Sequence, residues 1–201
     1  MKEISDLIPP HGGYSNLVTY KLGNLIYDAT AAFCKQYINC KDRTYDQMVQ
    51  AARSGVANIV EGSQASATSK KTELKLTNVA KASQEELLED YRSFLRQRDL
   101  KLWNAQSAEA KIVRESRPET LEQLRQVMAS LVSDLSDASD KSDKNTIKQE
   151  VAANTMICLI NLETYLLGRQ VTRLANDFEN EGGFTERLYK IRSEKRKNEP
   201  L

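Results

Sequence analysis

The sequence predicts an all-α protein: an antiparallel up-down four-helix bundle with an inserted helix and loop and a short basic C-terminal helix. Three observations lead there. Apolar residues recur at three- and four-residue steps over several long stretches, the spacing that gathers them on one face of a helix. No stretch alternates apolar and polar residues as a half-buried strand does, and no internal repeat is present. Long helices joined by polar turns pack most simply side by side.

Taken in order, residues 1–14 hold Pro9, Pro10, Gly12 and Gly13 and read as an irregular N-terminal arm, with Ser15 placed to cap the first helix. The bundle is expected over residues 15–176. Its first helix runs from Asn16 to Ile38 on a stripe of Leu22, Leu25, Ile26, Ala29, Phe33 and Tyr37. Thr44 or Asp46 caps the second helix, whose apolar side is Met48, Ala52, Val56, Ile59 and Val60 and which ends at Glu61-Gly62, with a glycine at the C-cap position. A third helix from Lys70 to Arg98 carries Leu74, Thr77, Ala80, Leu87, Tyr91, Phe94 and Leu95.

Residues 104–149 interrupt the pattern. Leu121, Leu124, Met128, Leu131 and Leu135 mark an inserted helix, and "SDASDKSDKNT" reads as a flexible loop. The fourth bundle helix runs from Thr146 to Asn176; its "MICLI" segment is apolar on every side, which predicts burial all round. Residues 177–201 form a suffix: Gly182-Gly183 breaks the chain and Thr185 starts a short basic helix anchored by Leu188 and Ile191.

Composition narrows the function classes. Hydrophobic residues make up 40% and charged residues 28% of 201 residues, as in ordinary soluble chains. Twenty-nine Lys and Arg against 28 Asp and Glu give a net charge of +1, so nucleic-acid binding would have to rest on local patches. Cys34, Cys40 and Cys158 lack C-x-x-C spacing and are odd in number, which predicts buried free thiols in a reducing compartment. The N-terminus has no long apolar run, and no segment has the uninterrupted apolar length of a membrane span. The expected location is cytoplasmic, with no membrane partner.

"AARSGVANIVEG", residues 51–62, has an unusually small helical face. Ala52, Val56 and Ile59 share one side, and Ala51, Gly55 and Asn58 the next. Gly55 costs about 1 kcal/mol relative to alanine inside a helix, a cost offset where another backbone approaches. That neighbour is a helix of the same chain or of another subunit; both readings stand. Ala52, Gly55, Asn58, Ile59 and Gly62 are therefore the candidate helix-packing residues, with Asn58 either capping or cross-linking helices through its amide, or exposed.

At these residues a likeness appears. "QAARSGVANIVEGSQASATSKKTELKLTNVAKASQEELLEDY" resembles the signature of the bacterial four-helix-bundle family named for a protein encoded in the intervening sequence of 23S ribosomal RNA. Arg53, Asn58, Ile59, Glu61 and Gly62 fit its first part, with Val60 where alanine is usual; Ala82, Ser83 and Glu85 or Glu86 fit the later part. "YLLGRQVTRLANDFENEGGFTERLYKIRSEKRK" resembles the C-terminal suffix of some members. The two likenesses cover residues 15–103 and 150–198; the insert departs from the pattern. The resemblance implies an antiparallel four-helix bundle similar to the accessory variability protein of diversity-generating retroelements, a basic pentameric barrel that binds reverse transcriptase and nucleic acid. It therefore implies a homo-oligomer, pentameric in the first instance, with RNA or DNA and a reverse transcriptase as partners.

No catalytic constellation accompanies this. His11 is the one histidine and lies in the arm, which removes di-iron sites built on Glu-x-x-His pairs and leaves nucleophile–histidine catalysis implausible. Glu85 over Glu89 and Glu86 over Asp90 read as a solvated face. No phosphate-cradling or dinucleotide motif is present. The expectation is a non-enzyme without cofactor or metal.

Positive clusters carry the binding hypothesis. Lys70, Lys71 and Lys75 open the third helix, and Arg92, Arg96 and Arg98 close it. The suffix holds Arg187, Lys190, Arg192, Lys195, Arg196 and Lys197 against Glu186, Glu194 and Glu199, with Phe184 and Tyr189 as stacking surfaces. The expected function is a non-enzymatic homo-oligomeric helical bundle that binds nucleic acid through these patches, as an accessory to a reverse transcriptase. The alternative is a protein-interaction scaffold that binds no nucleic acid and docks its partner through the slightly acidic insert.

Overall fold

A computed structural model describes residues 13–137 and 143–198. Among these the chain is all-α, with seven α-helices and no strand. A 3-10 turn at Gly13–Asn16 leads into α1 (Val18–Tyr37), followed by α2 (Arg43–Ala65), α3 (Lys70–Gln97), α4 (Ala108–Ser116), α5 (Leu121–Asp137), α6 (Lys144–Glu181) and α7 (Phe184–Asn198). The N-terminal arm through residue 12, with His11, and the stretch 138–142 of the expected loop lie outside the described residues.

Several starts and stops differ from those the sequence predicts, each for a local reason. Ser15 sits inside the 3-10 turn, and the N-cap position of α1 is Leu17, which has no side-chain cap. Asp42, not Thr44 or Asp46, caps α2: its carboxylate accepts from the Thr44 N–H at 2.9 Å. Gly62 does not end α2, which runs on to Ala65. Gly62 is instead buried where α2 meets α3, and a Cβ there would lie 3.4 Å from the Leu76 Cβ and 3.5 Å from the Glu73 carbonyl. Ser69 caps α3 by accepting from the Thr72 N–H at 3.2 Å.

Contacts between α1, α2, α3 and α6 place residue numbers in opposing order. Cys34 Sγ lies 3.9 Å from Met48 Sδ, while Gly23 abuts Val56. Ser54 and Ser83 share a 3.1 Å hydroxyl bond, while Gly62 abuts Leu76. Thr19 donates to Gln170 at 3.2 Å, and Gly23 abuts Glu163. Lys81 lies beside Gly168, and Trp103 beside Asn154. Between the helices sits an apolar core of Ile26, Phe33, Leu87, Tyr91, Met156 and Ile160 with their neighbours. Phe33 packs edge-on against Tyr91 and Phe94, each at 4.8 Å between ring centroids. The Tyr91 hydroxyl, fully buried, donates to Thr30 Oγ1 at 3.1 Å, which satisfies it.

The insert holds two helices rather than one. α4 buries Ala110 and Val113, α5 buries Leu124 and Leu131, and all four join the main core against α6. The segment between α3 and α4 is fastened to α6 as well. The Trp103 N–H donates to Asn154 Oδ1 at 2.8 Å, its indole N–H donates to Glu150 Oε1 at 3.1 Å, and the Asn154 amide returns a bond to the Lys101 carbonyl at 2.8 Å.

The "MICLI" segment of α6 is buried or half-buried throughout. By length and composition α6 is apolar enough to cross a membrane, and 56% of its most apolar window is buried inside the protein. Cys34 is buried, Cys158 half-buried and Cys40 exposed, so the expectation of three buried thiols fails at Cys40, which lies in the turn after α1. Burial, helped by Asp90, pushes the Cys34 thiol up to about 12; burial also raises Cys158. Gly182 ends α6 at φ 68°, a left-handed conformation that glycine adopts freely. No described α7 side chain belongs to the apolar core.

Candidate functional site

The candidate cations fall into three separate places. Lys71 and Lys75 are exposed on the first turns of α3, with half-buried Lys70 beside Glu73. Burial holds the Glu73 carboxyl above its ordinary value; Lys70 opposes that rise and Asp177 adds to it. Arg92, Arg96 and Arg98 lie at the other end of the helix, about 26–35 Å from Lys75 at 1.5 Å per residue. Their charges are locally engaged. Arg92 pairs with Glu89, Arg96 donates to Ser93 Oγ at 3.1 Å, and Arg98 lies 3.9 Å from the Phe94 ring centre while reaching the Tyr37 carbonyl at 3.4 Å. On α7, Lys190, Arg192 and Arg196 are exposed beside Tyr189, which is 75% exposed, and Phe184 is half-buried. The side chains of Arg187, Lys195 and Lys197 lie outside the described set.

A fourth cluster is not among the positive patches the sequence suggests. Where α3 meets α6, a groove is lined by Asn78, Lys81, Tyr165, Arg169 and Arg173, with Asp177 as its one carboxylate among the described residues. Tyr165 is 61% exposed there. Lys81 has Glu85 at 3.2 Å and Arg173 has Asp177 at 3.8 Å, both neighbours along their own helices. Arg169 makes no ion pair among the described residues. Gly168 lies on the groove floor, where a Cβ would make an ordinary contact 3.8 Å from Lys81 Cε. Lys71, Lys75 and Asn78 follow one another at helical steps along α3 toward this groove. Tyr165, Arg169 and Arg173 recur at four-residue steps, a stripe visible in the sequence; its partner Lys81 comes from a distant stretch. Cations spaced along a groove beside an exposed ring can contact phosphates and stack a base.

The small face of α2 meets polar side chains inside the core. Ala52 and Ile59 are buried, as are Gly55 and Gly62. What lies over Gly55 is not a backbone but the Gln84 side chain: a Cβ at Gly55 would overlap its Nε2. Asn58 is half-buried and turns back on its own helix, donating to the Ser54 carbonyl at 2.8 Å and to Ser54 Oγ at 3.2 Å, so these bonds do not cross-link helices. Beside this contact, a Cβ at Gly23 would lie 2.6 Å from Glu163 Oε1 and 3.2 Å from Val56 Cγ2. Gln84 and Glu163 are both wholly buried, and neither their amide nor their carboxyl atoms have a hydrogen-bond partner among the described residues. Burial pushes the Glu163 carboxyl up to about 8, so it is mostly protonated at neutral pH.

No group of three or more His, Cys, Asp or Glu side chains converges to hold a metal among the described residues. Glu163 is wholly buried and does not line the groove between α3 and α6. Comparison with family models, curated proteins and solved structures finds no match to this chain.

Proposed function

We propose that the chain is a non-enzymatic nucleic-acid-binding protein built as an antiparallel up-down four-helix bundle of α1, α2, α3 and α6, with α4 and α5 packed on its side. The opposing residue order across the helix pairs supports this topology. The likeness over residues 15–103 and 150–198 supports membership of the bacterial four-helix-bundle family, and with it a cytoplasmic homo-oligomer, pentameric in the first instance, that serves a reverse transcriptase.

One observation carries the binding: the α3–α6 groove sets Lys81, Arg169 and Arg173 beside exposed Tyr165, with a single carboxylate among its described lining residues. Exposed Lys71 and Lys75 extend the positive track. Such a surface contacts phosphates without reading base edges. A ring would repeat it on every subunit, and repeated weak patches on one rigid body bind far more tightly than one.

The test is fluorescence anisotropy of labelled single-stranded RNA and DNA across a salt series. Affinity should fall steeply with salt, by a log–log slope of about 0.7 per phosphate contacted on a single strand. Arg169→Glu with Arg173→Glu should lower both the affinity and that slope, while the melting temperature stays put because both side chains border solvent. No binding to any RNA or DNA at low salt ends the proposal.

A further inference from the structure

The groove between α1, α5 and α6 has a different character from the one between α3 and α6. Its volume is about 480 Å³, within the range of small-molecule sites. Its floor is the open surface of the main core: Ala29, Phe33, Ala152 and Met156, with half-buried Met128 and Val132 forming the α5 wall. Three cations line it, Arg125 from α5 and Lys144 and Lys148 from the first turns of α6, and no carboxylate does among the described residues. Glu122, one turn before Arg125 on the exposed side of α5, approaches it only to 3.9 Å. Asp143 stands at the N-cap position of α6 and makes no side-chain bond to the first helical N–H groups.

We propose that this groove binds a single-chain amphipathic anion, its alkyl part over Phe33 and Met156 and its carboxylate or equivalent head among Arg125, Lys144 and Lys148. Charge decides the class of occupant. An apolar floor alone would take any greasy body. Three lysine and arginine side chains, with no carboxylate among the described lining residues, disfavour a cationic amphiphile and add attraction for an anionic one. Half-buried Met128 is an unbranched, deformable side chain and suits a chain of variable length. The site is distinct from the nucleic-acid surface, since the two grooves share no lining residue.

Isothermal titration of the full chain with dodecanoate, below its micelle concentration and at physiological salt, tests this. Saturable binding of one dodecanoate per chain is expected, with dodecyltrimethylammonium giving none. Lys144→Glu with Lys148→Glu changes two exposed side chains and should weaken dodecanoate by about tenfold or more, while neutral dodecanol binds as before. Ala129→Trp, at an exposed lining position, should block dodecanoate and dodecanol together. Equal binding of the cationic and anionic amphiphiles, or dodecanoate binding unmoved by both variants, overturns the proposal. So does capture by anionic phospholipid vesicles that excess dodecanoate fails to compete.

Discussion

Glu163 and Gln84 occupy core positions that apolar side chains usually fill, and each lies against a glycine on a neighbouring helix. Their cost is electrostatic and depends on pH at only one of them. Unfolded, a glutamate releases its proton near 4.5; buried, Glu163 holds it to about 8. Between those values the folded state binds the extra proton. Stability is therefore whole below pH 4.5, declines as pH rises through the window and levels off above about 8. Glu163→Gln should flatten that decline and leave the protein more stable than the parent at pH 8, measured by urea unfolding at pH 5 and pH 8. A decline that survives the substitution would assign it to other groups. Gly55 carries a second prediction. A Cβ there would collide with Gln84 Nε2, so Gly55→Ala should destabilise by about 1–3 kcal/mol despite the better helix propensity. Adding Gln84→Ala should recover part of that loss, and additive losses in the double-mutant cycle would deny the contact. The sequence exposed the small face around Gly55 but not the polar occupant over it. Gln84 and Glu163 look like ordinary polar residues on long helices, and only the placement of α1, α2, α3 and α6 buries them.

Helices with a full apolar stripe were legible; those anchored by two residues were not. α5 announces itself through Leu121, Leu124, Met128, Leu131 and Leu135, and Leu124 and Leu131 are fully buried. The nine-residue α4 has only Ala110 and Val113 facing inward, while Ile112 is 43% exposed, so its period is too short to separate from the loop around it. α2 outruns its expected end because Gly62 serves a helix crossing instead of a left-handed cap. These differences give a testable order of importance. Leu131→Ala should cost about 2–5 kcal/mol, as core leucine truncations do, whereas ending the chain after Gly183 should leave the thermal midpoint unchanged, because no described α7 side chain reaches the core. Circular dichroism melts of the two variants check both. A large loss on removing α7 would give that helix a packing role.

For the whole molecule, the near-neutral charge of +1 conceals an uneven distribution. One groove gathers Lys81, Arg169 and Arg173, and another gathers Arg125, Lys144 and Lys148. Neither set was legible as a unit, since each joins helices far apart in the chain; the stripe of Tyr165, Arg169 and Arg173 was the only local signal. The all-α class was readable because periodicity is a local property repeated over long segments. Self-association is the prediction that belongs at this scale. Light scattering at micromolar concentration should give a multiple of 22.7 kDa, near fivefold for a ring of five. A particle of a single chain's mass would remove the oligomer and the multiplied affinity with it.

The fastening of Trp103 to Glu150 and Asn154 has a practical consequence. It is the chain's sole tryptophan, so ultraviolet-excited emission reports on one joint, the seam holding the α3–α4 connection to α6. If α4 and α5 peel away before the central helices melt, the indole signal shifts while ellipticity is still high. The protein thus contains its own optical gauge of whether the inserted pair and the helices beneath it unfold as one cooperative body or as two.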